Sequence, residues 1–285
     1  MFRILVRGLL LMLLTGAVNA APVFVFTAIP DQDETQLKLR FQKIADYLQE
    51  ELQTEVRFVP VKSYAATITA FRNNQVQLAW FGGLSGVKAR ELVPGSVALA
   101  QGIEDPEFKS FFIANSSTGL TPADSLPESV RDMTFTFGSK GSTSGRLMPE
   151  YYLREQFGES PNDVFSRVGF SGNHSRTIAL VESGAYQLGA LNYKVWEAAV
   201  ADGNVDTSKV QVIWETPTYP DYQWTLRGDM DAVYGEGFSD RVKQALLKMT
   251  DPELLRSFPR SGFIPASNKD FEPVRKVAKA VGLLD

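Results

Sequence analysis

The sequence predicts an α/β fold divided into two lobes with a ligand cleft between them. Three observations predict it. Short apolar or β-branched runs alternate with helical periodicity along nearly the whole chain, the pattern of parallel sheets flanked by helices. Two stretches rich in turn-forming residues, 116–127 and 216–220, bracket a central segment of the same alternating kind. At 285 residues the chain can bury one large core or two medium ones. The expected division is a continuous central lobe, 118–217, and an outer lobe built from both ends, 21–117 plus 218–285. Ligands in open α/β sheets bind beyond the carboxyl ends of the strands, so the natural site is the inter-lobe cleft, with hinge closure around it.

Residues 1–20 stand apart from this fold. Arg3 and Arg7 form a basic start, Leu9 to Leu14 a short apolar run, and Val18-Asn19-Ala20 a small-residue cleavage site. The run is far below the roughly 20 residues needed to span a bilayer. A signal peptide cut after Ala20 is therefore expected, and its removal takes away two positive charges.

The elements follow in order. An apolar run at 23–28 reads as a buried first strand, broken by Pro30 and Asp31. Residues 35–52 carry Leu37, Phe41, Ile44, Ala45, Leu48 and Leu52 at helical spacing. Asp31, Asp33 and Glu34 precede that helix, where negative charge suits its N-terminal dipole. A β-branched strand is expected at 56–61, a helix at 64–73 and a strand at 76–81. Residues 84–92, 97–101 and 108–115 continue the pattern. The central segment has strands at 133–137, 168–170, 186–191 and 210–215, and helices at 145–157, 176–183 and 193–201. After residue 220 come a short run at 224–227 and helices at 240–249 and 273–281.

Composition narrows the chemistry. With no Cys there are no disulfides, thiolate nucleophiles, cysteine-held clusters or N-terminal lipidated Cys. A single His rules out a multi-His metal site. The formal charge of −4 argues against a general nucleic-acid binder. No metal, cofactor or nucleic acid is expected.

The segment Gly138-Ser139-Lys140-Gly141-Ser142-Thr143-Ser144-Gly145 is the most informative. It follows a strand and opens a helix. Ser142, Thr143 and Ser144 there can offer hydroxyls and free backbone N–H groups to an anion, helped by the helix dipole. Ser142 also suits a plain helix cap. The Walker pattern fails because Lys140 precedes the second Gly, and the nucleophile-elbow pattern fails because its central residue is Thr143. His174 falls between a strand and a helix, as a ligand donor or as a solvated loop residue. Tyr64 starts a helix after a strand. Trp80-Phe81-Gly82-Gly83 and Asn192-Tyr193 end strands, and the glycines permit close backbone approach.

Taken together, Ala28-Ile29-Pro30, Ser63-Tyr64-Ala65-Ala66, Leu78-Ala79-Trp80-Phe81-Gly82, Ser142-Thr143-Ser144-Gly145 and Phe170-Ser171-Gly172-Asn173-His174 resemble, in order, the phosphonate/phosphite-type periplasmic substrate-binding family of ABC transporters. Phe-Gly-Ser-Lys-Gly-Ser-Thr-Ser-Gly and Gly-Ala-Leu-Asn-Tyr also resemble a branch of that family described as selenate-binding. The resemblance implies a type II periplasmic-binding-protein fold, two lobes joined by two hinge strands. It implies that Ser142, Thr143 and Ser144 hold a tetrahedral oxyanion, with Tyr64, Phe81, Gly82 and His174 around it and Asn192 and Tyr193 at the central strand end. Phe81 stands where the family often has Tyr. Asn192 and Tyr193 stand where aminophosphonate binders carry an acid, which disfavours an amine-bearing ligand.

The expected function is thus a periplasmic, monomeric receptor that delivers a small oxyanion to an inner-membrane permease and is not an enzyme. Two alternatives share the fold: a periplasmic hydrolase or transferase, for which His174 is the one conventional base, and a binding protein coupled to a signalling receptor. Phosphite and phosphate carry protons near neutral pH that need an acceptor, whereas sulfate and selenate carry none. The sequence does not name that acceptor.

Overall fold

The computed structural model describes residues 22–32 and 34–284; the expected signal peptide lies outside them. The described residues form two sheets. The first contains β1 (Phe24–Ala28), β2 (Val56–Phe58), β3 (Leu78–Phe81), β4 (Val97–Gly102), β10 (Gln223–Leu226) and β11 (Phe263–Pro265), in the order β11-β4-β10-β3-β1-β2. The second contains β5 (Ser110–Asn115), β6 (Thr134–Phe137), β7 (Arg167–Phe170), β8 (Leu188–Asn192) and β9 (Val210–Glu215), in the order β7-β6-β8-β5-β9.

The helices follow from their apolar stripes. In the helix Glu34–Leu52, the periodic positions Leu37, Phe41, Ile44, Ala45, Leu48 and Leu52 are all buried. Phe41 stacks on Phe58 of β2 at 5.0 Å between ring centres. That strand stops at Phe58, before Pro60, so it is shorter than the alternation predicts. A core of Trp80, Trp224, Phe258 and Phe263 fills one face of the first sheet. The second sheet packs Phe112, Phe135 and Phe165. Among the described residues no helix is long and apolar enough to cross a membrane.

Two expectations need correction. The sheets are mixed rather than parallel: β10 runs antiparallel to β3 and β4, and β5 antiparallel to β8 and β9. These are the strands by which the chain enters each sheet from the other. Ser110 opposes Asn192 and Gln223 opposes Phe81, so both enter at the carboxyl ends of parallel strands and must run the opposite way. The first boundary also moves. Ser110–Asn115 belongs to the second sheet, so the chain crosses between Gly102 and Ser110, before this strand and not at 117/118. Residues 116–127 form a loop within the second lobe; their turn chemistry marks a loop without saying which elements it joins.

The two crossings are tied together. Phe108 and Tyr219 exchange backbone hydrogen bonds of 2.9 and 2.8 Å. Thr216 Oγ1 accepts from the Ser110 N–H at 3.0 Å, and the Asp221 N–H donates to the Asp105 carbonyl at 3.0 Å. Beneath them the Arg260 guanidinium donates to Asp105 Oδ1 from Nε and Nη2 at 2.9 and 2.7 Å. It lies 4.9 Å from the Phe108 ring centre and 5.0 Å from that of Tyr222. One buried cation therefore contacts both crossing strands.

Candidate functional site: the seam between the lobes

Every predicted site residue follows, or ends, a strand whose carboxyl end faces the seam, as expected for open α/β sheets. From the first lobe come residues 29–31 after β1, Tyr64 after β2 and Gly82 after β3; from the second come 138–145 after β6, 171–174 after β7 and Asn192 at the end of β8.

The lobes touch through specific bonds. The Leu84 N–H donates to Thr143 Oγ1 at 3.0 Å, and the His174 N–H to the Asp31 carbonyl at 2.9 Å. Asn192 Nδ2 donates to the Tyr222 hydroxyl, which donates to Asp31 Oδ2, both at 2.9 Å. Asn192 Oδ1 meanwhile caps the helix Tyr193–Ala201 by accepting from Lys194 and Val195 N–H groups at 2.7 and 3.2 Å. Asn192 thus both joins the lobes and caps a helix.

Ser142 is an N-cap: its backbone is extended, and its Oγ accepts from the Gly145 N–H at 2.9 Å. The two readings of Ser142 are compatible, because a hydroxyl that accepts still has a proton to donate. The helix does not start regularly. Thr143–Leu147 forms a wide π-type turn before the helix Met148–Phe157, a distortion that gathers at functional sites. Behind it Arg146 pairs with buried Glu150 and lies 4.4 Å from the Phe137 ring centre.

Among the described residues, four buried polar atoms at this seam have no hydrogen-bond partner: Tyr64 Oη, Ser144 Oγ, His174 Nε2 and Asp221 Oδ2. Unsatisfied buried groups are costly and uncommon, so four together need an explanation. Three are donors. Burial, with Asp31 nearby, holds the Tyr64 hydroxyl well above its ordinary pKa, so it keeps its proton; it faces Ser142 and Tyr222 without completing a bond to either. His174 begins the helix His174–Glu182 rather than lying in the loop before it. Its Nδ1 accepts from the Asn192 N–H at 3.3 Å, which leaves the proton on Nε2. Bare Gly145 makes room for the ring; a Cβ there would lie 3.0 Å from His174 Cε1.

Burial alone pushes the His174 pKa down to about 3. The neutral Nε2–H donor therefore persists across the physiological range. As the only His, its ring resonances should stay constant by NMR from pH 8 to 4, and a titration near 6.5 would place it in solvent. The sign for stability follows. The unfolded chain takes up this proton below about 6.5 and the folded chain only near 3, so His174 withdraws stability as pH falls through that window.

The fourth atom is an acceptor that no sequence motif marked. Asp221 Oδ1 accepts from the Gly83 N–H at 2.8 Å, and Oδ2 is left over. Burial raises its pKa to about 7, and that of Asp31 to about 6, with Arg260 acting against both shifts. An acid set between Pro220 and the buried strand β10 was the available signal. Asp31 looked like a helix-dipole charge and instead receives the Tyr222 hydroxyl.

The other expected residues take different places. Phe81 is fully buried, its ring edge against Phe71 at 5.6 Å, so it offers the seam only its backbone end. Gly82 caps the helix Gly83–Leu92. Tyr193 packs edge-on against Phe108 at 4.8 Å, beside the crossing strands.

The comparisons agree with this architecture. The family described as "ABC transporter, phosphonate, periplasmic substrate-binding protein" matches residues 26–271. The chain is 39% identical over 259 residues to a Prochlorococcus marinus (strain MIT 9301) protein named a probable ABC transporter phosphite binding protein, PhnD1, covering 88% of this chain and 87% of that one. The solved structure of PhnD1 in complex with methylphosphonate superposes with a TM-score of 0.87, covering 92% of this chain and 99% of that chain. A phosphonate-transporter binding component from Pseudomonas aeruginosa, 20% identical with a TM-score of 0.79, covers 90% of this chain and 85% of its own and shares the fold. With its two-lobed type II fold, the chain belongs to the phosphonate-type periplasmic substrate-binding proteins of ABC transporters, a family that binds solutes rather than transforming them.

Proposed function

We propose that the protein closes around a small, singly protonated tetrahedral oxyanion of the phosphite–phosphonate class and presents it to an inner-membrane permease. The observation that carries this reading is the set of unpartnered atoms at the seam, three donors and one acceptor. Tyr64, Ser144 and His174 would each donate to an anionic oxygen, with Ser142 adding its free hydroxyl proton. Asp221 Oδ2 would accept the ligand's own proton. Phosphite and methylphosphonate can bring that proton near neutral pH; sulfate and selenate cannot. PhnD1, named for phosphite and solved with methylphosphonate, supports the same class. Thr143, Gly82 and Asn192 would hold the closed lobes together, while Phe81 and Tyr193 would support the strand end and the hinge.

Thermal unfolding of the mature protein with phosphite, methylphosphonate, 2-aminoethylphosphonate, phosphate, sulfate and selenate tests this. A ligand at 100 times its Kd adds about 2.7 kcal/mol, a rise of roughly 5–10 °C at this size. Phosphite or methylphosphonate should lead. A lead by 2-aminoethylphosphonate would assign Asp221 to an ammonium group, and no shift with any anion would overturn the reading. Ser144→Ala, which removes a donor without touching a cap, should weaken the leading ligand roughly 10-fold or more by calorimetry.

The first twenty residues would direct export, with cleavage after Ala20, in keeping with the periplasmic location that membership of this family implies. Permease delivery predicts co-purification with a permease rather than a sensor kinase, and size-exclusion chromatography should return a monomer.

A further inference from the structure

We propose that Gly141 is a specificity-determining residue: by lacking a Cβ it sets how closely Tyr64 approaches the anion and so how small the closed site is. The inference rests on the oxyanion reading and goes on to say what gauges the ligand.

At three glycines of the seam, Gly82, Gly83 and Gly141, a Cβ would meet the opposite lobe or the hinge, and none of these three has a left-handed backbone angle. Their use is therefore not conformational freedom. What each supplies is the absence of a Cβ where the opposite lobe or the hinge passes. A Cβ on Gly82 would meet Asp221 Oδ1 at 3.2 Å and Thr143 Oγ1 at 3.4 Å. On Gly83 it would meet the Pro220 carbonyl and Val274 Cγ2 at 3.2 Å, and Thr143 Oγ1 at 3.3 Å. On Gly141 the three nearest atoms would all belong to Tyr64: Cβ at 3.0 Å, Cγ and Cδ1 at 3.6 Å.

Gly141 is the informative one. It belongs to the loop that leads into Ser142, and its neighbour across the seam is the stem of the side chain whose hydroxyl is unpartnered. Tyr64 Cβ is fixed to the first turn of the helix Tyr64–Arg72, which Ser63 caps at 3.1 Å to the Ala66 N–H. It cannot swing aside by a rotamer change. Carbon atoms settle about 3.5–4.0 Å apart, so a methyl at 141 is relieved mainly by backing the lobes apart by a few tenths of an ångström. Hydrogen bonds weaken beyond about 3.2 Å. The Tyr64 hydroxyl bond to an anion held by Ser144 and His174 would then stretch to about that limit unless the anion were larger.

The test compares phosphite, methylphosphonate and propylphosphonate on the wild-type protein and on Gly141→Ala, by calorimetry. Phosphite affinity should fall roughly 10-fold or more, the loss of one charged hydrogen bond. Propylphosphonate should change far less or improve, so the ratio between the two narrows by about tenfold. Gly141→Val should narrow it further. The unliganded thermal midpoint is read alongside, so that a general loss of stability is told apart from a change in preference. If all ligands weaken by one factor, or none changes, Gly141 has no role in specificity. If the wild-type protein binds none of the three, the oxyanion reading fails and this inference with it.

Discussion

Asp221→Asn is expected to move the protein's preference from oxyanions that carry a proton toward those that carry none. The substitution is nearly isosteric. The amide oxygen can keep the bond now made by Oδ1 to the Gly83 N–H at 2.8 Å, so the first N–H of the helix Gly83–Leu92 keeps its acceptor. What changes is the unpartnered atom: an acceptor becomes an NH2 donor. On the proposed reading, and above about pH 7 where Asp221 is ionised, a proton on the ligand would meet Oδ2, whereas sulfate would face a carboxylate. In the variant, sulfate gains a donor and a protonated phosphonate loses its acceptor. A hydrogen bond to a charged group contributes about 1.5–3 kcal/mol, so the methylphosphonate-to-sulfate ratio should shift by roughly 10- to 150-fold. Calorimetry with both anions reads this directly, and an unmoved ratio would take Asp221 out of contact with the ligand.

The same variant changes the pH profile of the unliganded protein. Asp221 and Asp31 are raised by burial to about 7 and about 6 from 3.8. Between roughly pH 4 and 7 the folded chain holds protons there that the unfolded chain has released. These groups therefore withdraw stability as pH rises through that window, opposite in sense to His174. Asp221→Asn should flatten the loss toward pH 7 in urea unfolding.

Arg260→Met is expected to give the largest loss of stability, about 3–5 kcal/mol. Arg260 and Asp105 are both buried, and no exposed surface can take up the carboxylate left behind. The loss also removes the cation lying against Phe108 and Tyr222, one ring on each crossing strand. Urea unfolding should show the midpoint falling. Adding Asp105→Asn to the same chain should recover part of the loss, because the uncompensated charge is then gone. A cost below about 1 kcal/mol, or no recovery in the double variant, would mean that the pair is dispensable.

Much of the candidate site was legible because its signals are local. The six apolar positions of the helix Glu34–Leu52 lie at helical spacing and all face the core. Ser142, Thr143 and Ser144 sit where a strand gives way to a helix, and the lone His lies at the next such junction. Family resemblance then joined these pieces in order. Where a motif mixes contact and support, the sequence could not separate them. Phe81 resembles a site aromatic but packs against Phe71, and Asn192 resembles a contact but joins Tyr222 to a helix cap.

By itself the sequence determined the α/β alternation, the helix faces and the hydroxyl-rich turn. All of these are set by periodicity and by caps acting within a few residues. The tertiary structure alone decided that Ser110–Asn115 enters the second sheet and that the chain crosses before it. It also decided that Asp221 supplies an acceptor, and that Asp31, Tyr222 and Asn192 join the lobes. The reason is physical. These features rest on partners far apart in the chain, 191 residues for Tyr222 and Asp31 and 138 for Asp221 and Gly83. An aspartate has the same side chain on a surface or at a seam. Only the elements that close around it decide whether it loses its water, raises its pKa and waits for a proton.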